Sequence, residues 1–124
     1  MLVFRVENKN GRGPYRCGNY HESLEKHNGC PNHPSGNCDG IDTSAFYNIR
    51  YGFPCRNSLT AWFFGHIKFL KPDFYIAVYE VSEENVRYGS SRKQLVFNYD
   101  EAKLVEKKKF GSKLRVLKKV KELV

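Results

Sequence analysis

The sequence predicts an α+β fold: a small single domain with a mixed or antiparallel sheet, one well-defined amphipathic helix, a long polar loop over about residues 8–50 and a basic C-terminal helix. Three observations carry that expectation. The chain reads as strand, long loop, helix, strands and helices, an order that segregates the element types. Residues 58–70 repeat apolar side chains at helical spacing. Residues 74–81 are apolar on both faces, as a strand central in its sheet must be. A chain of 124 residues holds one domain, and 15% aromatic residues are enough to build a core, which excludes a disordered tail. The expected division is an α+β domain over 1–110 and a basic amphipathic helix over 111–124.

Leu2-Val3-Phe4-Arg5-Val6-Glu7 reads as the first strand, with Arg5 and Glu7 on the face opposite Phe4 and Val6. Asn8-Lys9-Asn10-Gly11-Arg12-Gly13-Pro14-Tyr15 is a run of turn residues. From there to about Arg50 the chain is poor in aliphatics and rich in Gly, Asn, His and Cys. A loop of that length points to a functional loop, a metal-organised segment or a lid. Over 58–70, Leu59, Trp62, Phe63, His66, Ile67 and Leu70 share one helical face. Asn57 or Ser58 is the expected cap, and Lys71-Pro72 the stop. His66 is expected to be packed rather than ligating.

The strand at 74–81 is followed by a turn at 82–85, a short strand at 86–88, a turn at 89–91 and a strand at 94–97. Asp100 is expected to cap a helix from Glu101 to about Lys109, ended by Gly111. Leu114, Leu117, Val120 and Val124 then recur along the final basic helix.

The net charge of +8 is unevenly spread. Residues 1–100 carry 12 Lys/Arg against 10 Asp/Glu, whereas residues 101–124 carry nine against three. A nearly neutral body therefore bears a basic end, which attracts nucleic acid, acidic proteins or anionic membrane. Lys107, Lys108, Lys109, Arg115, Lys118 and Lys119 are the candidate contacts to a macromolecular partner; the bland alternative is a solvated helix face. No apolar run is long enough to span a bilayer, and Arg5 interrupts any signal-peptide core. The chain is expected to be soluble and to act in the cytoplasm where it is made.

Four cysteines without a secretory signal are expected to be reduced thiols. Cys30-Pro31-Asn32-His33 is a C-x2-H pair, Cys38 follows five residues after His33, and Cys17 precedes in a C-x3-H pair with His21. Cys17, Cys30, His33 and Cys38 could together give Zn2+ its tetrahedron and hold a segment with almost no apolar residues. Neither pair is C-x2-C, so no standard zinc spacing is matched. Asp39 and Asp42 near His33 could form a hydrogen-bonded acid–base unit. No P-loop, G-x-S-x-G or H-E-x-x-H occurs, and Gly11-x-Gly13 lacks the third glycine of a dinucleotide fingerprint.

Phe4-Arg5, the helix opened by Gly52-Phe53 and Asn57-Ser58, and the stretch from Tyr75-Ile76-Ala77-Val78-Tyr79-Glu80-Val81 to Gln94-Leu95-Val96-Phe97 follow an order that resembles small ADP-ribosyltransferase-like domains. The phrase Phe4-Arg5-Val6-Glu7 with Gly11-Arg12-Gly13-Pro14-Tyr15 also resembles the opening of small phage-encoded proteins. The resemblance implies an NAD- or ADP-ribose-type ligand, with Arg5, Tyr15 and Ser58 binding it and transfer of ADP-ribose to a host macromolecule as the activity. Gln94 falls where that family carries its catalytic glutamate. An amide keeps a hydrogen bond to ribose but loses the charge that stabilises the developing cation. Glu80, Glu83 or Glu84 would have to substitute, or the domain binds without turnover. The alternative is a non-catalytic basic module that inhibits a host defence or nucleic-acid-processing complex. It would bind protein or nucleic acid, with Tyr15, Tyr20, Tyr47 and Tyr51 available to stack bases. For a phage-encoded chain the cytoplasm in question is the host's.

Overall fold

The computed structural model describes residues 1–14, 39–111 and 114–115. Six strands form two antiparallel three-stranded sheets among these residues, with two short helices, the α+β arrangement expected. The strands are β1 (Leu2–Asn8), β2 (Ile49–Gly52), β3 (Phe74–Glu80), β4 (Val86–Tyr88), β5 (Leu95–Asn98) and β6 (Lys103–Lys109). The helices are α1 (Arg56–Trp62) and α2 (Ile67–Leu70).

The larger sheet has the order β1-β3-β6, so the strand that is apolar on both faces is indeed central. β1 pairs with β3 in one unbroken register from Leu2↔Glu80 to Asn8↔Phe74. β6 pairs along the other side of β3, and a bulge at Val105 shifts the register between Val78 and Tyr79. The smaller sheet has the order β2-β5-β4. Where β2 ends, the Phe4 N–H donates to the Phe53 carbonyl at 2.9 Å and the Phe53 N–H to the Phe4 carbonyl at 2.7 Å, stitching the two sheets together.

Each face of the larger sheet buries a different core. One face sets Phe4, Val6, Phe74, Ile76 and Val78 against Leu59, Trp62, Phe63 and Leu70 of the helical segment. Phe53 fills the corner, its ring 5.5 Å from that of Trp62 and edge-on to Phe63 at 5.9 Å. Phe110 and Leu114 close this core from the far end of the chain. The opposite face sets Val3, Ala77 and Tyr79 against Val86, Leu95 and Phe97 of the smaller sheet. Arg5 and Glu7 lie on this second face, beneath a sheet and not in solvent, which decides what they do.

Four sequence expectations are corrected. The helix over 58–70 is two helices: Gly65, at φ +86°, breaks it, although Leu59, Trp62, Phe63 and Leu70 still reach the core. Its cap is neither Asn57 nor Ser58 but Cys55, whose extended backbone brings Sγ to accept from the Ser58 N–H at 3.4 Å. The helix from Glu101 to Lys109 is instead strand β6, entered through a 3-10 turn at Tyr99–Glu101. Asp100 caps no α-helix; its carboxylate accepts from the Asn48 side chain at 3.2 Å. β2 lies at the end of what reads as loop. The helix expected over 111–124 falls almost wholly outside the described residues.

Candidate functional site

Arg5 and Glu7 share a face of β1 because they are two residues apart, and Lys107 joins them there because Ala77 pairs with both Arg5 and Lys107. Glu7 is 1% exposed. Its Oε2 accepts from Lys107 Nζ at 3.0 Å and its Oε1 from the Tyr79 hydroxyl at 2.5 Å, while Arg5 Nε lies 3.7 Å from Oε1. Lys107 also donates to the Asn8 carbonyl at 2.8 Å. The carboxylate is thus ringed by two cations and a phenol, the compensation a buried charge requires. Burial and donation to this carboxylate push the Tyr79 phenol well above the ordinary tyrosine range.

Arg5 Nη1 donates to the Tyr51 carbonyl at 2.8 Å and Nη2 to the Gly11 carbonyl at 3.3 Å. Burial lowers the Arg5 pKa, an effect that nearby Glu7 opposes. The turn after β1 closes over this pair. Gly11 takes φ +82°, and a Cβ there would stand 3.3 Å from Glu7 Oε2; a Cβ on Gly13 would stand 3.2 Å from Arg5 Nη2. The phrase from Phe4 to Pro14 is therefore one structural unit, a charged strand face with its lid. Arg5 is folded into the protein, 7% exposed, with its guanidinium turned to the Tyr51 and Gly11 carbonyls.

Gln94 does not meet Arg5 there. It is buried beside Asp39, to which its Nε2 donates at 3.2 Å. Asp39, 3% exposed, also accepts from the Ser91 N–H at 2.7 Å and the Ser91 hydroxyl at 2.9 Å. A Cβ on Gly89 would collide with the Asp39 carboxylate. Asp39 thereby pins the connection between β4 and β5; His33, its expected partner in an acid–base unit, lies outside the described residues. Glu80 is exposed and lies on the opposite face of the sheet from Arg5, since Leu2 pairs with Glu80 and Arg5 with Ala77. Gln94, Glu80 and Arg5 are thus not assembled into one cleft.

Ser58 sits in the first turn of α1, its hydroxyl 3.1 Å from Cys55 Sγ. That hydrogen bond is the main influence drawing the Cys55 thiol below the ordinary cysteine value. Tyr15 and the zinc candidates Cys17, Cys30, His33 and Cys38 lie outside the described residues. No cluster of three or more His, Cys, Asp or Glu placed to hold a metal ion occurs among the described residues.

The basic residues divide into two kinds. Lys107 and Lys108 are half-buried and occupied, Lys107 by Glu7 and Lys108 by Glu106 at 3.6 Å. They belong to a strand rather than to a helical tail. Lys103 and Lys109 are exposed at the two ends of β6, with the apolar side chains of Leu104 and Val105 standing 48% and 39% exposed between them. Sequence reasoning missed Lys103, Leu104 and Val105; the Leu-Val pair in a charged run was the available sign. Arg115 is exposed, and its N–H donates to Glu106 at 2.9 Å, so the chain beyond β6 turns back toward that strand. Lys118 and Lys119 lie outside the described residues.

The fold and this surface define a small α+β protein whose described interior charges serve its own architecture, with a basic strand along one rim. The chain belongs to the bacteriophage T4 Y00F protein family, whose family model matches residues 1–111; it is a phage protein. β6 lies inside the matched region, and Arg115, Lys118 and Lys119 lie outside it. No curated protein and no solved structure matches the chain. No helix among the described residues is long and apolar enough to cross a membrane.

Proposed function

We propose that this phage protein is a non-catalytic binding module that docks an acidic macromolecule of the host through the β6 rim, and so inhibits the complex to which that macromolecule belongs. The observation that carries the reading is the exposed run Lys103-Leu104-Val105 with Lys109 on a strand that is otherwise built into the sheet. Cations flanking an apolar pair suit an acidic protein segment with its own apolar side chains. A phosphate backbone would use the cations but leave Leu104 and Val105 without a role.

The NAD or ADP-ribose reading needs free polar ends at Arg5 and Gln94. Arg5 is buried with Nη1 and Nη2 donating to the Tyr51 and Gly11 carbonyls, and the Gln94 amide donates to Asp39. Binding without turnover is therefore the better-supported function.

Fluorescence anisotropy with a labelled poly-L-glutamate tests it. Affinity is expected to be measurable at low ionic strength and to fall as the screening length contracts from about 30 Å at 0.01 M salt to about 8 Å at 0.15 M. Absence of binding at low salt overturns the proposal. Calorimetric titration with NAD and with ADP-ribose is expected to give no binding heat; heat that Arg5→Ala abolishes would restore the transferase-like reading.

A further inference from the structure

Among the described residues β6 is the last strand of its sheet: β3 occupies one side, and no strand pairs along the other. The outward side of an edge strand presents the N–H and C=O groups of every second residue, a template on which another extended chain can pair. Proteins commonly blunt such edges with lysines and bulges, and β6 has both. That protection is selective. Four lysines against one glutamate make a second copy of β6 a poor partner, because antiparallel self-pairing brings like charges opposite each other. The same lysines favour a strand of opposite charge.

The bulge divides the edge. From Glu106 to Lys109 the register with Val78–Tyr75 is unbroken, giving a straight four-residue stretch. Before it, Leu104 and Val105 project exposed apolar side chains beside exposed Lys103. Lys103 lies opposite Glu80 on one face of the sheet, while Leu104 and Lys109 lie opposite Tyr79 and Tyr75 on the other. This geometry suits a partner that pairs its main chain with 106–109, sets apolar residues beside Leu104 and Val105, and carries carboxylates on both faces of its strand, toward Lys103 on one and Lys109 on the other.

We infer that the edge of β6 on which no described strand pairs takes an acidic extended peptide segment as an added antiparallel or parallel strand, resting on the binding function proposed above. Main-chain pairing supplies the grip, and the cations with the Leu-Val pair supply the choice of sequence. A nucleic acid cannot form this ladder, and a second copy of the chain is disfavoured by its own charge.

The test uses the full chain and two labelled probes of equal net charge: a mixed Glu/Val peptide with Glu on both faces of its strand, and poly-L-glutamate. Backbone amide hydrogen exchange over 103–109 is followed with and without each. The Glu/Val peptide is expected to bind more tightly and to slow exchange at alternate residues of β6, those whose N–H groups do not face β3. The double variant Lys103→Glu/Lys109→Glu, altered only at exposed side chains, is expected to weaken the peptide about tenfold or more, the size that reversing two partly screened pairs gives. Binding of both probes with unchanged exchange over 103–109 overturns strand addition and leaves the acidic-partner function standing. Binding of neither probe overturns both. Tighter binding of a single-stranded oligonucleotide than of the peptide, with β6 amides unprotected, assigns the surface to nucleic acid and overturns the inference.

Discussion

Replacing Lys107 by methionine probes the charged interior most sharply. Methionine keeps a stem of similar length against Tyr75, over whose ring Lys107 Nζ lies at 5.7 Å, but removes the ammonium. Glu7 then keeps the Tyr79 hydroxyl and the more distant Arg5 while losing its 3.0 Å partner. Removing one member of a buried ion pair costs about 3–5 kcal/mol. Lys107 retains 22% of its side-chain exposure, so water screens part of the interaction, and about 2–3 kcal/mol is expected. For a domain of this size that lowers the melting temperature by roughly 8–12 °C. Urea unfolding followed by the fluorescence of Trp62, the chain's single tryptophan, reads the loss directly. Lys109→Met, at an exposed position on the same strand, is expected to change stability by less than about 0.5 kcal/mol. A double-mutant cycle with Glu7→Gln should give a coupling of about 1–3 kcal/mol. Equal midpoints for Lys107→Met and Lys109→Met would refute the idea that Lys107 is an interior counter-ion.

Burial, then donation to Glu7, raises the Tyr79 pKa in the native state. Above about pH 10 the unfolded chain therefore loses a proton that the native chain keeps, and stability falls with rising pH by up to about 1.4 kcal/mol per pH unit. Urea midpoints between pH 9 and 11.5 should fall less steeply for Tyr79→Phe than for the native chain; parallel slopes would count against the effect. Asp39→Ala leaves the buried Gln94 amide and the Ser91 donors without their carboxylate, at an expected cost of about 1–3 kcal/mol. Faster amide exchange at Ser91 in this variant is the check, and native-like exchange would contradict it. Because the Ser58 hydrogen bond holds the Cys55 thiol low, alkylation of Cys55 should begin at lower pH in the native chain than in Ser58→Ala, as read by peptide mass mapping. Identical pH–rate profiles would remove Ser58 from that role.

Much of the fold was legible because periodicity reports burial. The alternation in β1, the doubly apolar β3 and the short runs of β4 and β5 all appear as strands. What failed was decided at longer range. Lys103–Lys109 has a helix-friendly Glu and Lys composition, yet it forms a strand because β3 offers it an open side; tertiary pairing overrides a weak local preference. The helical face over 58–70 is right about the core and wrong about continuity, since periodicity does not register the left-handed backbone at Gly65. The polar residues show the same limit. Alternation correctly put Arg5 and Glu7 opposite Phe4 and Val6, but it cannot say that a second sheet covers their face. Opposite charges two residues apart, followed by two closely spaced glycines, were the available sign of a covered ion pair. Gln94 carried no such sign, because its partner Asp39 is 55 residues away.

The location of the docking surface is tested most directly by charge reversal at two places in the full-length protein. Poly-L-glutamate affinity is measured for Lys103→Glu/Lys109→Glu and for Lys118→Glu/Lys119→Glu at one low salt concentration. If the rim of the sheet does the binding, the first pair weakens it the more. Loss confined to the second pair would move the interaction to the end of the chain and contradict the account.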